Sequence, residues 1–288
     1  MIISSSPLFK GYARTVLDSR KYNRRAPFTP SGIANAVAQR LLDLAKLQIT
    51  RFKISNATED SFNLVIEGRM FGTGMVSSTI GTTEASLSFN GIVFGRIKLP
   101  QTLASFWGAD FVAQEQRIKI TNYTSYCAFI RSIMVDDVTS LQLENKNCTV
   151  RALGASSVCN LRLDMPLKAI GGPRMAVKKL SRLGNDVTIV FSLSCSSPVE
   201  LDHGFCIFEL RNGHSDTLAK LKGKLNIATA HTELTLHGTT RDGAVASNRI
   251  RLVGVGVEAK EKSWLSETIR EVDVPVYLEP KCVEILWC

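Results

Sequence analysis

The chain has 288 residues, enough for one large domain or two of ordinary size. Its 44% hydrophobic and 21% charged residues exclude general disorder, and a formal net charge of +9 favours anionic partners. Aromatic residues, at 7%, are not interleaved with a basic stripe, so no nucleic-acid partner is expected.

Residues 1 to 30 stand apart. Lys10, Arg14, Arg20, Lys21, Arg24 and Arg25 face a single acid, Asp18, while Leu8, Phe9, Tyr12, Val16 and Leu17 recur at helical spacing. A basic amphipathic helix of this kind lies in a membrane interface with its cations towards anionic lipid. Leu8, Phe9, Tyr12, Arg14, Val16, Arg20, Lys21, Arg24 and Arg25 are therefore candidate membrane contacts. An organelle-targeting segment and a solvated tail are the rival readings, and Gly11 weakens any helix here. No run of 18 apolar residues occurs, so no spanning helix is expected. "MIISSSPLF" has neither the charged start nor the apolar length of a secretory signal. The chain is thus expected to begin in the cytosol, unless sequence upstream of Met1 is missing.

"TPSGIANAVAQRLLDLAKLQI" predicts a helix, with Ile33, Val37, Leu41 and Leu44 on one face, widened by Ala34, Ala38 and Ala45, and Thr29 or Ser31 as its cap. From Leu47 the period falls to two. Ile49, Phe52 and Ile54 open a strand set that continues through Phe62 to Ile66, Met75 to Ile80, Ala85 to Phe89 and Ile92 to Ile97, with glycines between. "TNYTSYCAFIRSIMVDD" interrupts it with a short helix that turns Tyr126, Phe129, Ile130, Ile133 and Met134 inward. Strands resume at "VTSLQLEN", "CTVRALG" and "VCNLRLDMPL". "GGPRM", residues 171 to 175, marks the expected boundary between a first domain, 31–175, and a second, 176–288. "DVTIVFSLSCSSPVELDHGFCIFEL" then echoes "LQITRFKISNATEDSFNLVIEGRM": strand, polar corner, strand. The fold expected is mainly β, two tandem antiparallel β-sandwich domains with a few short helices. The tail "KCVEILWC" alternates Val283, Ile285 and Trp287, as an edge strand does.

"VAQRLLDLAKLQITRFKISNATEDSFNLVIEGRM", "FNGIVFGRIKLP", the helix around "YCAFIRSIM" and "LRLDMPLKAIGG" follow one another in an order that resembles the fungal domain-of-unknown-function family 3712, over roughly residues 30 to 175. The second half is similar to the late-embryogenesis-abundant type 2 sandwich. Its Asn-Pro-Ser corner is replaced here by Ser196, Ser197 and Pro198. The resemblance implies tandem AsmA-like sandwiches that work at membranes, with vacuolar or other endomembrane placement. It brings no catalytic residues, and the membrane helix that precedes the first module in such proteins is not present in this sequence.

Catalytic signatures are sparse. There is no G-x-S-x-G, H-E-x-x-H, P-loop or C-x-x-C. Gly254, Gly256 and Ala259 form a G-x-G-x-x-A run after "RIRLV", which a dinucleotide site uses only inside a βαβ unit and which glycines in a strand or bulge explain far more simply. His231 and His237 lie roughly 20 Å apart along one strand, too far to share a metal. His203, His214, Asp202 and Cys206 would have to converge across a hairpin to make a pocket. The adjacent acids Glu59–Asp60 and Asp136–Asp137 fit turns and caps. Among the sequons at Asn56, Asn122 and Asn147, Asn122 is the favoured glycosylation site if the chain is lumenal. Seven irregularly spaced cysteines suit buried thiols, although an oxidising compartment would allow a pair such as Cys195 with Cys206.

The sequence therefore favours a non-enzymatic β-sandwich module acting at an anionic membrane surface or on lipid, without metal or cofactor. The alternatives are an enzyme or pathway accessory on a β scaffold, and a purely structural assembly partner.

Overall fold

The computed structural model describes residues 30–287 apart from 73–76, 106, 173, 214, 229, 242–248 and 259–263. The candidate membrane contacts from Leu8 to Arg25 lie outside the described residues. Helix α1 (Pro30–Leu44) opens the described chain. Its packing rests on Ala38 and Leu42, with Val37, Leu41 and Ala45 half-buried and Leu44 exposed.

Strands β1 (Lys46–Ser55) and β2 (Ser61–Phe71) follow. Ile49 and Phe52 are three residues apart yet both buried, because the pairing of β1 with β2 shifts register between Ile49 and Arg51. Next come β3 (Ser78–Ile80), β4 (Thr83–Phe89), β5 (Ile92–Leu99), β6 (Thr102–Ala104) and β7 (Ala109–Lys119). Patterning did not announce β7. Its buried Ala109, Phe111 and Ala113 are small or widely spaced, and the polar "QEQR" separates them from Ile118. Helix α2 (Tyr123–Val135) precedes the long hairpin of β8 (Val138–Ala152) and β9 (Ala155–Lys168).

The second half holds β10 (Arg174–Leu183), β11 (Asp186–Cys195), β12 (Val199–Asn212), β13 (Thr217–Ile227), β14 (Ala230–Thr240) and β15 (Arg249–Val257). Helix α3 (Trp264–Thr268), a 3-10 turn (Ile269–Glu271), β16 (Asp273–Tyr277) and α4 (Pro280–Trp287) close it. The tail is thus a helix and not the expected edge strand. Proline starts α4, and Cys282, Val283 and Leu286, at three- and four-residue spacing, face the core. Cys195 and Cys206 are not brought together either. Strand β11 pairs with β10 and β14, and β12 pairs with β13, β1 and β15.

The chain is mainly β, a sandwich architecture with short helices. One sheet runs β10-β11-β14-β13-β12-β1-β2-β7, with β15 on β12 and β16 on β15. The other runs β5-β4-β8-β3-β6, with β9 on β8. Among the described residues every strand pair is antiparallel except β1 with β12, where Phe52, Lys53 and Ile54 meet Val199, Glu200 and Leu201. The first sheet therefore runs across the glycine turn at Gly171 and Gly172, and Arg51 reinforces that seam. Its guanidinium reaches Glu67 at 3.1 Å and both carboxylate oxygens of Glu200 at 3.0 and 3.1 Å.

Helix α2 fills the space between the layers of the first half with aromatic rings. Phe129 meets Phe52 of one sheet edge-on at 5.9 Å and stacks on Phe94 of the other at 5.5 Å. Tyr126 stacks on Phe62 at 4.5 Å. The polar corner "SCSSP" stitches the halves from the side. Ser197 is buried; its hydroxyl donates to the Lys168 carbonyl at 2.6 Å and accepts from the Val199 amide at 3.0 Å. The Phe52 amide donates to the Pro198 carbonyl at 2.9 Å. Ser197→Ala leaves the buried Val199 amide and the part-buried Lys168 carbonyl short of a partner, and we expect a loss of about 2 kcal/mol in urea unfolding. An unchanged midpoint would show that the corner only decorates the junction.

Candidate functional site

Strand β12 shares one edge between two partners. Its start pairs with β1 and its stretch from Cys206 to Asn212 pairs with β15. Between them the backbone bulges at Asp202–Gly204, with Gly204 at φ 69°. His203 sits in that fork, fully buried against the Trp264 ring. The Thr268 hydroxyl donates to the Trp264 carbonyl at 2.8 Å, so at 3.0 Å from His203 Nε2 it is the acceptor. His203 is then the neutral Nε2–H tautomer, and its Nδ1 has no partner. Burial pushes its pKa down to about 4, against a weaker upward pull from Asp202.

Of Asp202, His203 and Cys206, the first two line a small pocket with Asn56, Phe205, Lys224 and Leu265, and Cys206 is not part of its lining. Asp202 accepts the Gly204 amide at 2.9 Å and pairs with Lys224 at 3.1 Å. Cys206 is buried, its thiol directed at the carbonyls of His203 and Gly204, and burial lifts its pKa to about 12. His214 lies outside the described residues. His231 and His237 are exposed on β14, opposite Ser194 and Thr188. Among the described residues no cluster of three or more His, Cys, Asp or Glu is placed to hold a metal ion.

Gly254 and Gly256 lie inside β15, antiparallel to β12, so no βαβ turn surrounds them; Ala259 is outside the described residues. A Cβ on Gly254 would stand 2.1 Å from the Ile269 carbonyl oxygen, which makes close packing the reason for that glycine. The Asp60 carboxylate accepts from Ser61 and Thr58 in the β1–β2 corner, which holds its pKa below the usual range. Asp136 ends α2, where its carboxylate accepts from Ser132 at 2.5 Å. Asn122 caps the same helix, its side chain accepting from the Ser125 amide at 2.9 Å.

A different feature has the character of a contact site. The end of β2 at Phe71, the Ser105–Gly108 closure between β6 and β7 that carries Trp107, and the Leu153–Gly154 turn between β8 and β9 lie at the same end of the first half. Strand β3 fixes this placement, because Ser78 pairs with Ala104 on one side and Ala152 on the other. The two hairpin tips are therefore about 10 Å apart. They present Trp107, 78% exposed, and Leu153, 75%, with Leu103 of β6, 70%, and Phe71 beside them. The Arg69 guanidinium donates to the Trp107 carbonyl at 3.1 Å and lies 5.8 Å over the Phe71 ring. A Cβ on Gly108 would stand 2.4 Å from the Met70 carbonyl oxygen, so the Trp107 turn is seated tightly on β2. Lys46 and Arg151 add exposed positive charge, and Asp43 and Asp110 are the acids nearby. Scattered exposed leucines are ordinary, but a tryptophan and a leucine on neighbouring turns, with Leu103 on the adjoining strand β6, mark an interaction surface.

No family model matches the chain, and no curated protein matches it. Solved structures that it resembles include CBD12 from CALX1.2, at 7% identity and TM-score 0.20, covering 81% of this chain and 96% of that one. A β-glucuronidase of glycoside hydrolase family 2 matches at 7% identity and TM-score 0.19, over 74% of this chain and 24% of the enzyme. The E. coli chaperone DraB matches at 11% identity and TM-score 0.15, over 73% and 89%. Similarity at this level assigns no activity. Among the described residues no helix is long and apolar enough to cross a membrane.

Proposed function

We propose that the chain is a non-enzymatic β-sandwich module that docks peripherally on an anionic membrane surface through the turn cluster of the first half. The carrying observation is the exposure of Trp107 and Leu153 on neighbouring turns, and of Leu103 on β6, beside Arg69, Arg151 and Lys46. Tryptophan favours the membrane–water interface, where its apolar ring is covered while its N–H stays hydrated, and flanking arginines meet lipid phosphates. The net charge of +9 favours the same surface. The resemblance of residues 30 to 175 to the fungal family supports vacuolar or other endomembrane placement, and the basic amphipathic pattern of residues 1–30 supplies a second anionic contact. The non-enzymatic part rests on the orientation of Asp202 and Cys206 towards backbone groups and on the burial of His203.

Flotation with phosphatidylcholine vesicles containing phosphatidylserine tests this reading. Trp107→Ala and Leu153→Ala should each weaken binding about tenfold, about 1.4 kcal/mol, and their combination more. Binding that is equal for the double variant and the parent chain, or equal on neutral and anionic vesicles, overturns it.

A further inference from the structure

The hairpin of β8 and β9 turns on Leu153 and Gly154, with φ of 52° and 76°. Two successive positive φ values define the tight two-residue turn that locks hairpin register. Pairing then proceeds without a shift from Ala152 opposite Ala155 to Cys148 opposite Cys159. Residues directly opposite in an antiparallel pair point to the same face, with Cα atoms about 4.5–5.5 Å apart. A disulfide requires about 4.4–6.8 Å. Both thiols are free and buried. The register shifts just beyond the pair, between Asn145 and Cys148, so the backbone there has slack to bring the two sulfurs together.

We infer that Cys148 and Cys159 are a redox couple that closes a reversible disulfide across β8 and β9. The oxidant is a small-molecule disulfide such as oxidised glutathione. One cysteine thiolate attacks a glutathione sulfur, forming a mixed disulfide and releasing one glutathione thiolate. The second cysteine attacks the mixed disulfide, forming the protein S–S bond and releasing the other. The two cysteine sulfurs lose two electrons in total, the glutathione disulfide gains them, and the two cysteine protons end on the two glutathione thiols.

The surroundings set the pace. Helix α1 lies across this stretch, where Gln39 clamps Asn160, the residue after Cys159, by hydrogen bonds of 2.8 and 2.9 Å. Burial, with the neighbouring Cys159, lifts the Cys148 pKa to about 11, and burial with Asp43 raises that of Cys159. The couple is therefore protonated at neutral pH, and its oxidation accelerates as pH rises. Once formed, the bond staples the hairpin beneath α1.

Tryptic mapping of the full chain, equilibrated with reduced and oxidised glutathione at pH 8 and then alkylated, decides the matter. Cleavage after Lys146, Arg151 and Arg162 places the cysteines on separate peptides, 147–151 and 152–162. The expected product is those two peptides joined by a disulfide, with a Tm about 5 °C above that of Cys148→Ser treated identically. In Cys148→Ser the joined product disappears and Cys159 carries glutathione instead. Recovery of both peptides alkylated and unlinked, while the half-buried Cys127 carries glutathione, overturns the inference, as does linkage of either cysteine to a different one.

Discussion

Trp264→Ala should destabilise the chain by about 3–5 kcal/mol, the largest loss expected from any single substitution considered. The indole is fully buried at the place where the two halves meet. It stands edge-on to Tyr126 of α2 at 5.0 Å and 5.9 Å from the His203 ring of β12. Its Nε1–H donates to the Thr58 carbonyl at 3.0 Å, in the corner between β1 and β2. Removing the ring opens a cavity bordered by both halves and leaves that carbonyl without its donor. Trp264→Phe keeps most of the packing and should cost about 1–2 kcal/mol, which separates the hydrogen bond from the volume. Urea unfolding followed by circular dichroism measures both. A loss below about 1 kcal/mol for the alanine variant would mean that the ring is not a packed member of the core.

Much of the architecture is legible in the sequence because its strands have one wet face. Leu64 and Ile66 are buried between half-covered Asn63, Val65 and Glu67, and such alternation reads directly as strand. The segments that escape reading are those where tertiary structure breaks the period. Strand β7 hides behind small residues and a polar run, and α4 presents an alternation of period two that a helix also satisfies through Cys282, Val283 and Leu286. The parallel contact of β1 with β12 has no local signature, since it joins residues about 150 positions apart. The candidate surface was partly visible. "SFWGAD" places a tryptophan in a glycine turn, and "RALGAS" places a leucine in one, yet only strand β3 shows that the two turns are neighbours. The cysteine pair was more accessible. Cys148 and Cys159 stand five positions before Leu153 and five after Gly154, so reading "LG" as a two-residue hairpin turn puts them opposite one another. Histidine and cysteine stand close together in "DHGFC", but the bulge there buries His203 and points the Cys206 thiol at backbone.

The protein should lose stability on mild acidification through His203. In the unfolded chain this histidine titrates at 6.5, and in the folded chain burial holds it at about 4. Between those values the unfolded state binds a proton that the folded state refuses, so stability is fully present above pH 6.5 and falls as pH drops towards 4. The loss reaches about 2 kcal/mol at pH 5 and about 3 kcal/mol below pH 4. Geometry explains the refusal. Nε2–H is committed to Thr268, and a second proton would place an N–H on Nδ1, which has no acceptor. The nearest carboxylate, Asp202, gives limited relief because Lys224 and the Gly204 amide already engage it, and the Cys206 thiol facing the bulge stays uncharged. Asp60, whose carboxylate is held low by Ser61 and Thr58, loses its contribution only at more acidic pH, so the two windows separate. His203→Gln retains an amide N–H for Thr268 without the titration. Its urea midpoint should change less between pH 7.5 and pH 5 than that of the parent chain, by the equivalent of about 2 kcal/mol. Parallel pH profiles for the two proteins would show that His203 accepts its proton in the folded state as readily as in the unfolded one, and the fork would then have to admit water.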